Sequence, residues 1–468
     1  MADLAAEEGP VDAPSLPSGS NASSAPLESD FSFRKIKVAM ICLIGGLFGT
    51  SLLPFGALAF VLLPMTKEFG WSRTEFSGAT TALMWCGSLT VPFLGRISDK
   101  VGVRPVVLIG TIIVGLVTLA VSMQGKSIWW FYGCFALLGV FGSSGVAYQK
   151  VIASLFTQHR GKALAIFGAE SAVVMALTPI MTNYLVSHFG WRQMFSIYGW
   201  IILALVPLVF FTLEEPGLAA GQSAWRPVKR EIGAPKGSPM LAAEGMNIKQ
   251  ALRDRVFWIL AVAAVVGMAP GAGMMSHMVA AVVDKGFSQT LAANITSLSL
   301  MLGVVWTLLG GYLVDKVPTA KINIPFLVAT IVGVALFVVV TPAMGGVVLL
   351  VVAFSLQGLG LTAGRPMNTY FQTRFFGLRS FTEITATASA MLAISMGVTP
   401  LIMGEIYDRT HSYNWGFAIM AGGLALSAVL FLTLGRYRYS ADALPPTLPP
   451  ETADEVANPL ENAVAAAK

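Results

Sequence analysis

The chain repeats itself on the scale of half its length. Gly95-Arg96-Ile97-Ser98-Asp99-Lys100-Val101-Gly102-Val103-Arg104-Pro105 is a short charged segment between two long apolar runs. Gly311-Tyr312-Leu313-Val314-Asp315-Lys316-Val317 returns in the same setting, at an offset (311 minus 95) of 216 residues. The same offset pairs Pro54 with Pro270, Glu68 with Asp284, Ser72 with Ser288 and Gly87 with Gly303. Farther along, the register drifts: Thr178-Pro179 returns as Thr399-Pro400 and Trp191 as Trp415. A repeat this long, built of hydrophobic segments, makes two similar halves of one membrane-embedded body.

The apolar runs approach the roughly 20 residues a helix needs to cross about 30 Å of hydrocarbon. Hydrophobic residues are 55% of the chain and charged ones 12%, against about 25% charged in soluble domains. Spanning backbone must satisfy its own hydrogen bonds, and the short alternating strands of a barrel are absent, so the expected fold is all-α. Twelve spans are predicted, in two six-helix bundles. The first set is 38–64, 76–95, 105–123, 128–156, 163–186 and 193–213. The second is 256–282, 291–314, 323–342, 346–373, 382–404 and 415–435. The domain reading is a disordered tail over 1–36, bundles over 37–213 and 256–437, a largely irregular Pro/Gly-rich linker over 214–255 and a second tail over 438–468. Cys42, Cys86 and Cys134 fall inside apolar runs without ligand spacing and read as small apolar side chains.

Lysine and arginine set the orientation. With both termini cytoplasmic, twenty-two of the thirty fall in inside segments and six in outside loops, and Lys150 and Arg365 lie within spans. This obeys the positive-inside rule. The net charge of +5 therefore follows topology and does not indicate nucleic acid.

At Gly95, Asp99, Lys100, Gly102 and Arg104 the chain resembles the major facilitator superfamily of secondary transporters, whose loop motif lies between spans 2 and 3. Gly311, Asp315 and Lys316 match the weaker copy between spans 8 and 9. The resemblance covers roughly residues 35–440 and implies a gating motif, with Asp99 facing the start of span 11 and stabilising an outward-open state. A carboxylate at a helix N-terminus is favoured by about 0.3–1 kcal/mol. Val103 departs from the family's usual basic residue. Phe69-Gly70-Trp71-Ser72-Arg73, Gly190-Trp191-Arg192 and Phe375-Phe376-Gly377-Leu378-Arg379 look like the bacterial oxalate–formate antiporter and monocarboxylate transporter group. That resemblance implies organic-anion transport; the expected setting is the bacterial inner membrane, with the carrier working as a monomer. The arginine this group often carries in span 8 is missing from 291–314.

Three ionisable side chains of Asp, Glu, Lys or Arg type fall deep in spans: Lys150, Glu170 and Arg365. Each needs a partner or a water-filled cavity. Lys150 and Glu170 each lie ten residues from Arg160, on antiparallel neighbours. They are expected at one depth, as a fixed pair or as the proton-coupling group. Arg365, between Gly364 and Pro366, suits a bidentate grip on a carboxylate or a bridge to Glu170. Pro54-Phe55-Gly56 and Pro270-Gly271-Ala272 are expected to interrupt spans 1 and 7 at corresponding points near a central site. Around it Phe55, His277, Met274, Met275 and Met278 gather, and Tyr148, Gln149, Gln357, Asn368 and Tyr370 are further candidate substrate contacts.

The leading reading is a carrier moving a small or aromatic carboxylate with protons. Exchange and proton-driven drug efflux are the alternatives, and a non-transporting receptor or scaffold is a different class. No nucleotide loop, metal site or nucleophilic triad stands out among four scattered histidines, so neither an enzyme nor a cofactor is expected.

Overall fold

The computed structural model describes residues 33–143, 148, 151–152, 160–213, 245–317, 319–344, 346–377 and 380–439, and these are almost wholly helical. The first half holds α1 (Phe33–Phe48), α2 (Leu52–Phe69), α3 (Arg73–Val101), α4 (Val103–Ser122), α5 (Ile128–Gly142) and α6 (Arg160–Thr212). A short α7 (Ile248–Arg253) leads into the second half. There follow α8 (Arg255–Asp284), α9 (Gln289–Lys316), α10 (Asn323–Val339), α11 (Gly346–Phe376), α12 (Phe381–Thr410) and α13 (Asn414–Leu432). α1 and α2 form one broken span, and α6 is two arms meeting at Gly190, whose φ of 78° suits glycine. So counted, the chain makes twelve crossings. It is a multi-pass membrane protein, and among the described residues eight stretches are long and apolar enough by themselves to span.

The repeat is visible in how the helices start. Ser72 caps α3 by accepting from the Glu75 N–H, with the Glu75 side chain returning the bond, and Ser288 caps α9 by accepting from the Leu291 N–H. The paired glycines also match. A Cβ on Gly87 would meet the Gly139 carbonyl of α5 at 3.2 Å, and one on Gly303 would meet Thr362 of α11 at 2.6 Å. Small residues let the backbones close on each other where lipid supplies no hydrophobic drive.

Three local expectations change. The charged segment after span 2 is not a loop: α3 runs on through Val101, and the turn is made by Gly102 alone at a φ of 104°. α9 likewise continues to Lys316. The polar residues at these ends are adequate helix formers, so the helix outlasts its apolar stretch. The matched interruption occurs in one half. The first span breaks at Gly49–Ser51, leaving Pro54 in the first turn of α2, where proline is tolerated. α8 runs unbroken through Pro270. The Val266 carbonyl freed by Pro270 is closely covered by Gly423 of α13, and Thr399 donates to the neighbouring Ala269 carbonyl at 2.7 Å. Such support keeps a proline-bearing span continuous. Finally, the linker contains α7, opened by a capping box between Asn247 and Gln250.

Candidate functional site

A cavity of about 230 Å³ lies between the halves. Its wall is methionine-rich: Met175 comes from α6, Met274, Met275 and Met278 from α8, and Met396 from α12. The polar groups are few, Thr296 and Ser299 on α9 and Gln357 and Thr362 on α11. A smaller cavity adjoins it, sharing Met175, Met275, Met278 and Thr296 and bounded by Phe55 and Gly56. Methionine side chains are unbranched and polarizable, so such a wall adapts to apolar or aromatic bodies of varied outline. Gln357 is 2% exposed, and its Nε2 donates to the Gly333 carbonyl at 3.0 Å.

The expected contacts divide. Gln357 and Phe55 line these cavities, as do Met274, Met275 and Met278. Tyr148 does not. It is fully buried against Gly45 in α1. Tyr370 accepts from Arg374 at 2.8 Å and packs on Tyr437, away from the cavity wall, and Asn368 is not on that wall either. His277 is buried in a different place, described below. Gln149 and Lys150 lie outside the described residues. Gly95 is on helical backbone, as are Glu170, Arg365, Asp99, Lys100 and Asp315, whose side chains lie outside what the structure describes. Arg104 bonds to the Phe210 carbonyl at the end of α6 and stacks on the Phe210 ring, a contact within the first half. Arg365 follows Gly358 and Thr362 by seven and three residues, which places it on the stripe of α11 that lines the cavity.

Beyond the cavity, where α2 leads into α3, the halves are stitched together. Arg73 of α3 pairs with Asp284 of α8 at 2.7 Å, donates to the Tyr413 hydroxyl at 2.6 Å and lies over the Tyr407 ring. Asp408 of α12 accepts from the Arg73 N–H at 3.0 Å, the Thr74 N–H at 2.9 Å and the Thr74 hydroxyl at 2.6 Å. One half thus caps a helix of the other, where a carboxylate meets the positive end of the helix dipole. Farther along, Thr81 donates to the Gly397 carbonyl and Trp85 to the Ile394 carbonyl. Then contact stops. Ser77, Thr81 and Trp85 belong to one i, i+4 row of α3, and the next members, Leu89 and Phe93, are 68% and 59% exposed. Ile394 on α12 is exposed as well. Among the described residues, the bonds between the halves gather at the Arg73 end, and exposed apolar side chains follow along α3 toward the Gly102 end.

This stitching was missed in the sequence because Arg73 and Asp284 are far apart in the chain and each looks like a loop charge. One signal existed. Glu68, the repeat partner of Asp284, bonds within its own half to Trp191 at 2.8 Å and Arg192 at 2.6 Å. The second half repeats the tryptophan as Trp415 but follows it with Gly416. Asp284 therefore has no arginine at the equivalent place, and Arg73 of the other half fills the role.

Comparison with known proteins agrees with this architecture. A probable sulfoacetate transporter, SauU, from Cupriavidus necator is 24% identical over 85% of this chain and 90% of its own length. Monocarboxylate transporter 4 of Rattus norvegicus is 24% identical over 81% and 79%. The multidrug resistance protein MdtG of Salmonella typhi is 23% identical over 83% and 92%. An uncharacterized transporter, YcxA, from Bacillus subtilis is 29% identical, and there the match spans 41% of the relative. Among solved structures the nucleoside transporter NupG superposes with a TM-score of 0.68 at 14% identity, over 85% of this chain and 99% of that one. These are transporters, not enzymes. The model of the Major Facilitator Superfamily matches residues 39–349, well over half the chain, and the chain belongs to that family.

Proposed function

We propose that the protein is a secondary active transporter of small or aromatic organic anions, driven by protons and working by alternating access as a monomer. The observation that carries this reading is the cavity between two halves whose described mutual bonds gather at one end. A carrier needs such a site, exposed to one side at a time. The positive-inside bias favours an orientation with the Arg73 end outside and both chain termini in the cytoplasm of a bacterial cell. On this reading the stitched end is the outer one, as in an inward-open carrier. The adaptable methionine wall suits the apolar body of an aromatic acid, and Arg365, on the cavity stripe of α11, is the candidate grip for its carboxylate. The similarity to a monocarboxylate and a sulfoacetate transporter favours a small anion.

The test is uptake of a labelled carboxylate panel by proteoliposomes with an inward proton gradient imposed or collapsed. Gradient-dependent accumulation is expected, and Arg365→Gln should raise KM at least tenfold in folded protein. Uptake that ignores the gradient but needs internal carboxylate would mean exchange. One observation favours a second reading: no described residue of the cavity wall is charged. If no carboxylate is carried while neutral aromatic compounds are, the protein is an efflux carrier, in keeping with its similarity to MdtG.

A further inference from the structure

The seam that closes the Arg73 end contains a buried titratable group for which the transport reading has no use. His277, on α8, has zero exposure and sits where α3, α12 and the residue before α13 converge. Both ring nitrogens are engaged. Nε2 is 3.0 Å from the Pro400 carbonyl and 2.9 Å from Ser77 Oγ, and Nδ1 is 2.9 Å from the Tyr413 hydroxyl. Ser77 donates its own proton to the Arg73 carbonyl at 2.7 Å. Tyr413 accepts from the Arg73 guanidinium at 2.6 Å.

These partners fix the protons. A carbonyl can only accept, so Nε2 carries a hydrogen. Tyr413, already accepting from Arg73, donates to Nδ1. Every group is then satisfied with the ring neutral. A second proton would have to sit on Nδ1, facing the Tyr413 hydroxyl proton, and donor would oppose donor. It would also place an imidazolium, out of reach of water, one hydroxyl away from the Arg73 cation. The other charged or titratable groups facing this point are Asp284 at the end of α8, and Glu405, Tyr407 and Asp408 on α12. The three carboxylates are committed elsewhere: Asp284 to Arg73, Glu405 to Arg409 and Asp408 to the start of α3.

We propose that His277 is a proton-operated latch: the Arg73 end closes only over the neutral imidazole, and a proton on Nδ1 breaks the chain through Tyr413 to Arg73 and releases that end. The inference rests on the alternating-access reading and names the group through which protons bias it. The chemistry is one N–H bond, formed with a proton from solution as the end opens and broken as it closes. With the Arg73 end outside, external acid favours the outward-open carrier. An imidazole of ordinary basicity, near pKa 6.5, in the open state makes the open-to-closed ratio rise about tenfold between pH 7.5 and pH 5.5.

The experiment uses the full chain in lipid nanodiscs with Cys42, Cys86 and Cys134 replaced by alanine. Spin labels go on Met123→Cys and Ala343→Cys, exposed positions of the two halves, in the turn after α4 and the single 3-10 turn before α11, at this end. Pulsed electron–electron distance measurements should show the ratio of longer- to shorter-distance population rising about tenfold across that pH range. His277→Gln keeps an amide donor and acceptor but cannot take up the proton, and should flatten the response. If His277→Gln does not fold, Tyr413→Phe, which removes the hydroxyl that opposes the second proton, should reduce the response at least by half. A response unchanged in either folded variant, or absent in the parent, overturns the latch. Because the readout is a distance, this result stands apart from whether any carboxylate is carried.

Discussion

Asp408→Asn isolates the bond by which one half caps a helix of the other. The carboxylate accepts three hydrogen bonds from Arg73 and Thr74, two of them from backbone N–H groups at the first turn of α3. Asparagine keeps the volume but offers one oxygen, and its NH2 is turned toward a donor. Losing charge-assisted bonds of this kind costs about 1.5–3 kcal/mol, and losing the charge at a helix N-terminus about 0.3–1 kcal/mol more. Asp408 is part-exposed, so the lower part of that range applies, about 2 kcal/mol in all. The cost falls on the closed state alone, because α3 and α12 separate when this end opens. By the rule that 1.4 kcal/mol is tenfold, the open-to-closed ratio should rise about 30-fold. The spin-label pair at positions 123 and 343 reads that ratio directly. Arg409→Gln is the control one residue away. Its pairing with Glu405 is exposed and joins neighbouring turns of one helix, so it should shift nothing measurable. The reasoning fails if Asp408→Asn stays within threefold of the parent, or if Arg409→Gln moves the population as much.

Two further perturbations follow from close contacts. A Cβ on Gly404 of α12 would lie 2.7 Å from the Thr74 Cα and N, backbone atoms that cannot turn aside. Gly404→Val should therefore hold the Arg73 end open in folded protein, seen as loss of the short-distance population and of carboxylate uptake. At the other end Asp254, which caps α8, bonds to Arg438. Partial burial works against its ionisation, but bonds from Arg438 and the Val256 N–H outweigh it and hold the carboxyl below its ordinary range. A carboxyl depressed in the folded state stabilises above its unfolded pKa, near 3.9, and that stability is lost as pH falls through the folded value. Arg438→Gln should lower the thermal midpoint at pH 6, and the difference from the parent should shrink steadily below pH 4. A gap constant with pH would remove Asp254 as its cause.

Twelve crossings and two halves could be read from the sequence because both signals are local or periodic: runs long enough to span, and residues returning at a fixed offset. Ser72 and Ser288 show how far this goes, since the paired serines are both helix caps. The cavity was half legible. Met274, Met275 and Met278 lie beside Pro270 in the sequence, whereas Met175 and Met396 reach the same space from distant helices. Their approach depends on packing that no spacing reports. Ends of helices were misjudged where hydropathy stops but helix formation does not, as at Val101 and Lys316.

The closed end was the least legible part, and the reason lies in where the repeat fails. Identical halves would each pair their own acid with their own arginine, as Glu68 does with Arg192. Two bundles bonded only within themselves would have no charge left to hold each other. The second half has Gly416 where the first has Arg192, and Trp415 is left exposed. Asp284 is thereby free to take Arg73, and the bond that was internal in one half becomes a bond between halves. In the proposed alternating-access cycle the two halves move apart at this end, so the pair is made in one state and broken in the other. Its free energy then counts toward the conformational equilibrium instead of the stability of either bundle. A carrier needs that equilibrium near balance, which a small set of part-exposed bonds with a titratable neighbour can deliver and a rigid, symmetric seam cannot. A departure from the repeat, more than its regularity, is thus where a sequence of this kind points to its moving parts.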